Sequence, residues 1–363
     1  MSHAQWQQAR RILCIRLDSL GDVLMCTPAM RAIKQSLPNC TLTLLTSASG
    51  AAAAPYIEDV DAVIEYAAPW MKAEVTPAGD ADAFMIELLS ERNFDAAIIL
   101  TSFSQSALPA ALLCYLAGIP LRLAHCRENP YHLLSDWIAD PEPAALIRHE
   151  VRRQLDLVAQ LGWSADHARL SFSVPPGDHA DVRSRLLAHG ISERQPFILM
   201  HTGASAPSRR YPPALWIEVI QGVRRQTGCP VVLTGDVHEL GLIEQIKRAC
   251  AVKVVSLAGE LDLGQLGAAI ELACVVVANN TGPAHMAAAI GTPLAELYAL
   301  TNPQHTPWQV ESRLLFHDVP CRFCYQSACP EGHHDCLGKV PPERVVEAVC
   351  SLLAARTLQQ ARS

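Results

Sequence analysis

Charge is sparse in this sequence, and what there is leans acidic. Only 18% of the 363 residues are charged, Lys and Arg number 29 against 36 Asp and Glu, and the net charge is −7. With no long basic run either, the chain is a poor match for a nucleic-acid partner, whose phosphates demand clustered cations. Long apolar runs are lacking too. The most apolar segment, 107–123, is broken by Pro109, Gly118 and Pro120, and it falls short of the roughly 20 residues a spanning helix needs. The opening residues, MSHAQWQQARR, have no apolar core of the kind a secretion signal carries. A soluble, cytoplasmic protein is the expectation.

What is present is apolar mass: 50% of the residues are hydrophobic, enough for two domains of ordinary size, each with its own core. Thirteen cysteines are many for such a chain. Nine are scattered through apolar runs and read as small buried side chains in a reducing compartment. The other four are clustered near residue 330.

Short apolar strands alternate with helical patterns from the start: strand 11–16, helix to Pro38, strand 41–46, strand 60–65, helix 80–92, strand 96–100, a short strand at 122–124 and helix 148–162. Alternation of this kind predicts an α/β fold with a parallel, doubly wound sheet, whose ligands bind beyond the carboxyl ends of the strands. Asp18, Ser19, Gly21 and Asp22 sit at that edge after the first strand. A carboxylate beside a glycine there suits a general base, although a first-turn acid on the next helix is the commoner fate of such an Asp. The stretch 171–178, SFSVPPGD, reads as an interdomain linker. Alternation then restarts: helix 179–189, strand 196–201, helix 213–227, strand 230–234, helix 239–251, strand 254–257 and helix 264–272.

The most informative stretch is 275–298, VVVANNTGPAHMAAAIGTPLAELY. A buried strand breaks at Asn279-Asn280-Thr281-Gly282 and Pro283 opens an alanine-rich helix. The unpaired amides and positive dipole end of that helix make a ready phosphate site. An ordinary capped helix accounts for the pattern equally well when it is taken alone. Two loops expected at the same sheet edge shift the balance. One is TGASAPSRRYP, with Thr202, Ser205, Arg209 and Arg210; the other is GDVHE, with Glu239. Small residues, a cation pair and a helix N-terminus are what a diphosphate requires.

These segments resemble glycosyltransferase family 9, the ADP-heptose:lipopolysaccharide heptosyltransferases. RLDSLGDVLMCTPAMRAIK at 16–34, HTGASAPSRRYPPALW at 201–216, VVLTGDVHE at 231–239 and ANNTGPAHMAAAIGTPLAELYALTNPQHTPW at 278–308 carry the likeness. The resemblance implies a GT-B architecture, two Rossmann-like doubly wound domains facing a central cleft. An N-terminal acceptor-binding domain is expected over 1–172, a hinge over 173–178, and a donor-binding domain over 179–345 with a Cys-rich loop at 321–336. A C-terminal helix or tail over 346–363 completes the division. The implied reaction is metal-independent and inverting. It moves a heptose or related sugar from a nucleotide-sugar donor to a glycan or lipid-linked glycan acceptor, at the cytoplasmic face of the inner membrane, with domain closure excluding water.

Carried over by position, Asp22 is the implied base for the acceptor hydroxyl, and Asp18, Ser19 and Gly21 line the acceptor side. Arg209 stands where the family usually has a Lys that neutralises the leaving diphosphate. Thr202, Ser205, Arg210, Glu239, Asn280, Thr281, Gly282 and His285 fall on the donor side, with Glu239 near the ribose. The family's Asp is Asn280 here, and an amide is neither acid nor base. That departure motivates a second reading, a non-catalytic nucleotide-binding relative. A GT-B sugar-nucleotide epimerase is a third, for which the motif gives no extra acids. Finally, Cys321, Cys324, Cys329 and Cys336 have a spacing that suits a structural zinc or iron. Reduced thiols in a surface loop, or occasional disulfides, fit the spacing as well. No cofactor is required for catalysis on this reading, and the sequence leaves the oligomeric state open.

Overall fold

A computed structural model describes residues 3–72 and 79–360. The chain forms two compact units that divide between Ser171 and Phe172. The first contains α1 (His3–Gln8), β1 (Arg11–Arg16), α2 (Leu20–Ser36), β2 (Thr41–Thr46), α3 (Ala48–Ala51), β3 (Ala62–Glu65), α4 (Gly79–Glu91), β4 (Ala96–Ile99), α5 (Leu108–Leu116), β5 (Leu121–Cys126), β6 (Asp136–Ala139) and α6 (Glu150–Ala159). Its strands lie in the order β3-β2-β1-β4-β5-β6, and every pairing is parallel. Strands such as RILCIR and AAII are almost wholly buried, as parallel strands covered on both faces must be.

The second unit repeats the plan with α7 (Pro176–Ala188), β7 (Ile198–His201), α8 (Pro213–Thr227), β8 (Val231–Thr234), α9 (Leu240–Ala249), β9 (Val255–Ser256), α10 (Leu263–Leu272), β10 (Val275–Asn279), α11 (Gly282–Ile290), β11 (Leu294–Leu297), β12 (Ser312–Leu315), α12 (Asp335–Gly338) and α13 (Pro342–Gln360). Its order is β12-β11-β10-β7-β8-β9. In each sheet the winding reverses beside the first strand, between β1 and β4 and between β7 and β10. A crevice opens at such a reversal, beyond the strands' carboxyl ends, and it is where doubly wound sheets take their ligands.

Some expected boundaries move. The apolar segment 107–123 is α5, a turn at Gly118 (φ 74°) and the start of β5. The edge strands β6 and β12 carry too little apolar alternation to be read in advance. The stretch 171–178 is packed rather than a free linker: α7 already begins at Pro176, and a Cβ on Gly267 of α10 would meet Phe172 at 2.6 Å. The C-terminal helix or tail expected over 346–363 corresponds to α13, which begins earlier, at Pro342, and packs along α8, residues 361–363 lying outside the described residues. Gly222 allows that approach, since a Cβ there would stand 2.7 Å from Val346. No described helix is long and apolar enough to cross a membrane.

Candidate active-site elements in the two units

In the first unit the reversal point is organised by a buried cation. Arg16, the last residue of β1, is 1% exposed and faces three carboxylates. Its Nε stands 2.7 Å from Asp18, its Nη2 3.2 Å from Asp22, and its Nη1 pairs with Glu150 at the start of α6. Asp22 also accepts hydrogen bonds from the Ser19 hydroxyl (2.7 Å) and the Ser19 amide (3.3 Å), closing a box over the first turn of α2. Asp22 thus fills the first-turn capping role on α2. Gln105, from the β4–α5 loop, donates to Asp18 across the reversal point. Burial pushes the Asp18 carboxyl up to about 6, with Asp22 adding to the rise and Arg16 and Gln105 opposing it. Asp18, Ser19 and Asp22 share a cavity of about 590 Å3 with Ser47, Ser49 and Tyr66. Gly21 lies inside the first turn of α2 and is not among its walls.

In the second unit the corresponding bridge is Asn279, the last residue of β10. Its Nδ2 donates to the carbonyls of Thr202 and Gly203, both at 3.0 Å, and its Oδ1 accepts from the Tyr211 amide at 3.2 Å. One buried amide therefore fixes both ends of the Arg209–Arg210 loop. The two arginines then part. Arg210 turns back, its Nε donating to Ala204 O at 2.7 Å. Arg209 reaches the strand end instead, with Nη1 3.4 Å from Asn280 O. Glu296 of β11 is 0% exposed and neither of its oxygens has a hydrogen-bond partner among the described residues. Burial drives its carboxyl well up, and Arg209 draws it back down.

Thr281 takes extended backbone as N-cap of α11, and Pro283, with no N–H to lose, sits in the first turn. Gly291 ends the helix in left-handed backbone at φ 92°. Thr281, Gly282 and Pro283 line a cavity of about 320 Å3 with Ser205, Glu239, His201 and a wall of Leu257, Leu261, Leu263 and Leu266. Glu239 lines this space together with Asp236 and Asp262. It accepts from the Asp236 amide at 3.1 Å and lies 3.5 Å from His201, and burial raises its carboxyl. Burial also lowers the imidazole of His201 to about 4, so it stays neutral at physiological pH. A slot with a leucine wall, the acids Asp236, Glu239 and Asp262 along its lining and a helix N-terminus at its rim can take a base, a ribose and a diphosphate in that order. Thr202, Asn280 and His285 are buried behind this surface. Thr202 Oγ1 and Asn280 Oδ1 have no hydrogen-bond partner among the described residues.

The four clustered thiols line a small cavity of about 20 Å3 with His333, His334, Ser208 and Thr301. Cys321 Sγ and His333 Nε2 approach to 3.7 Å. No three His, Cys, Asp or Glu side chains come together to hold a metal among the described residues. The tetrahedral site expected from the spacing is not assembled, and all four cysteines are free thiols.

Sequence reading named the chain segments of both crevices but missed Arg16, Gln105, Glu150, Asn279 and Glu296. A charged residue within or closing an apolar strand run, as Glu296 in LAEL and Arg16 at the end of RILCIR, is the signal that would have found two of them.

A family description, Glycosyltransferase family 9 (heptosyltransferase), matches residues 84–334, more than half of the chain. Lipopolysaccharide heptosyltransferase 2 of Escherichia coli K12 is 27% identical over 282 residues, 73% of this chain and 77% of that protein. The crystal structure of a family 9 glycosyl transferase from Veillonella parvula superposes with a TM-score of 0.78 at 21% identity, covering 95% of this chain and 98% of that one. The E. coli ADP-heptose lps heptosyltransferase II structure gives 0.74 at 24% identity, covering 96% and 99%.

Proposed function

This chain belongs to glycosyltransferase family 9, and we propose that it moves a heptose or related sugar from ADP-heptose to the core of lipopolysaccharide. The observation that carries the reading is the 320 Å3 cavity of the second unit, where Glu239 and the start of α11 share one space. Apolar walls suit the adenine, Glu239 can accept from both ribose hydroxyls, and the Thr281–Gly282 amides face the diphosphate. The chain's likeness to the E. coli ADP-heptose lps heptosyltransferase II supports the same donor.

The proposed transfer inverts the anomeric centre and draws on this chain's own groups. An acceptor hydroxyl forms the new C–O bond as the bond to the diphosphate breaks. Asp22 takes the hydroxyl proton, and the diphosphate leaves with its added negative charge on the helix N-terminus and Arg209. Asn280, being an amide, leaves charge neutralisation to those two. Because the proposed acceptor carries lipid, the enzyme would work at the cytoplasmic face of the inner membrane.

The test is transfer from ADP-heptose to heptose-deficient lipopolysaccharide core by wild type, Asp22→Asn and Arg209→Ala. Loss of the base should lower kcat by about 100- to 10,000-fold with ADP affinity unchanged. Loss of the arginine should weaken ADP as well. ADP at 100 times its Kd should stabilise the protein by about 2.7 kcal/mol, and more than equal UDP or GDP. A clear UDP preference, or full activity in Asp22→Asn, overturns the assignment.

A further inference from the structure

The cysteine-rich segment plays no part in the chemistry above, yet it is tied to that chemistry at close range. Ser208, the residue before Arg209, is 3% exposed and is held by residues 326–334 at each of its polar groups. Its amide donates to Ser327 O at 3.0 Å and its hydroxyl to Gln326 O at 2.8 Å. Its carbonyl lies 2.7 Å from His334 Nε2. A carbonyl can only accept, so that nitrogen carries the hydrogen. The same segment is fastened to the stretch that follows β11, where Phe323 N donates to Leu300 O at 2.6 Å and Tyr325 N to Thr301 O at 2.8 Å. Phe323, Tyr325 and His334 all take left-handed backbone, at φ 63°, 54° and 57°. Three non-glycine residues in that region within twelve positions are unfavourable locally, and persist only where surrounding contacts determine them.

We propose that segment 321–336 is a strap that fixes Arg209 at the diphosphate site, with His334 as its positioning residue. The proposal rests on the donor reading given above. Arg209 follows Ser208 in one short turn, Pro207–Arg209, so a shift of Ser208 moves the root of the guanidinium. The long side chain then loses its approach to Asn280 O. A small misplacement of a charge that must meet the leaving group costs far more rate than stability. The thiol-lined cavity lies under the strap, bounded by Ser208 and Thr301 themselves.

The experiment uses His334→Asn, which tolerates left-handed backbone but is too short to reach Ser208 O, and His334→Gln, whose amide can. Amide hydrogen exchange over 208–210 is measured without ligand, and ADP affinity is measured by calorimetry, each also in the Arg209→Ala background. In His334→Asn the Ser208 amide should exchange about 10-fold faster and ADP should bind about 5-fold more weakly. His334→Gln should restore both. In Arg209→Ala, adding His334→Asn should cost no further ADP affinity. Unchanged exchange, or an undiminished additive loss in the Arg209→Ala background, overturns the proposal. Should His334→Asn fail to fold, Ser208→Ala, which removes only the bond to Gln326, carries the same test. If exchange responds but wild type binds no ADP, the donor reading falls and the strap stands.

Discussion

The carboxylate of Glu239 lies against the backbone of Gly203: a Cβ on that glycine would fall 1.6 Å from Glu239 Oε1. Gly235, on the neighbouring loop, leaves room for the same carboxylate, with Oε2 2.8 Å from its hypothetical Cβ. Two strand ends therefore give up side chains to seat one acid at the wall of the nucleotide-sized cavity. Gly203→Ala should expel Glu239 from that seat. The expected result is a loss of ADP affinity of about 10-fold or more, matching Glu239→Ala and not adding to it in the double variant. Isothermal titration of the four proteins checks it, and full additivity would separate the two residues.

Asn279 links β10 to the loop that carries both arginines. Asn279→Asp keeps the oxygen that accepts from Tyr211 N but sets an anion against the carbonyls of Thr202 and Gly203. Replacing a fully buried donor with a like-signed partner should destabilise the protein by about 2–4 kcal/mol. Asn279→Ala, which only removes the bonds, should cost less. Urea melts of the two variants distinguish these orders.

The contrast between Asn279 and Asn280 shows where sequence reading stops. Both were visible as breaks after a buried strand, and the Thr281–Pro283 start of a helix was legible from residue types alone. Both amides are buried, and which of the two bridges to the Arg209–Arg210 loop depends on β10 lying beside β7, a long-range fact no local pattern carries. The same limit hid Arg16 and Glu296: each sits in a run that reads as apolar strand, and each faces a charge brought in from far along the chain, Glu150 for Arg16 and Arg209 for Glu296. Helices such as Pro213–Thr227 were read correctly, since their punctuation by Pro and Gly228 is local. Edge strands Asp136–Ala139 and Ser312–Leu315 were not, because one side of each has no neighbour and their burial is partial.

Glu296 makes the fold pH-sensitive on the alkaline side. Its folded carboxyl is raised above the unfolded value near 4.3. Above that unfolded value the folded state binds more protons than the unfolded chain, so stability falls as pH rises through the interval between the two. Glu296→Gln removes the titration while keeping the shape. The variant should melt with wild type at pH 4 and above wild type at pH 8. Equal melting temperatures at both values would show that Arg209 fully compensates the ionised carboxylate.

Arg16 and Asp18 provide a second case of the same sign. The guanidinium faces Asp18, Asp22 and Glu150 at once, so three carboxylates share one cation. Burial, with Asp22 beside it, raises the Asp18 carboxyl to about 6 against an unfolded value of about 3.9. Stability should therefore decline as pH climbs from about 4 to 6 and stay lowered above it. Asp18→Asn leaves Arg16 with two counter-charges and should gain about 1–2 kcal/mol at pH 7.5, a gain that vanishes below about pH 4. Arg16→Lys tests the same network from the other end. An ammonium cannot address three carboxylates along separate directions, and the buried Glu150 loses its guanidinium contact, so a loss of about 3–5 kcal/mol is expected at neutral pH. Acidification to about pH 4.5 should recover part of that loss by protonating Asp18. Denaturant melts of both variants across pH 4–8 measure the two slopes, and parallel curves for all three proteins would remove Arg16 as the organiser of the first crevice.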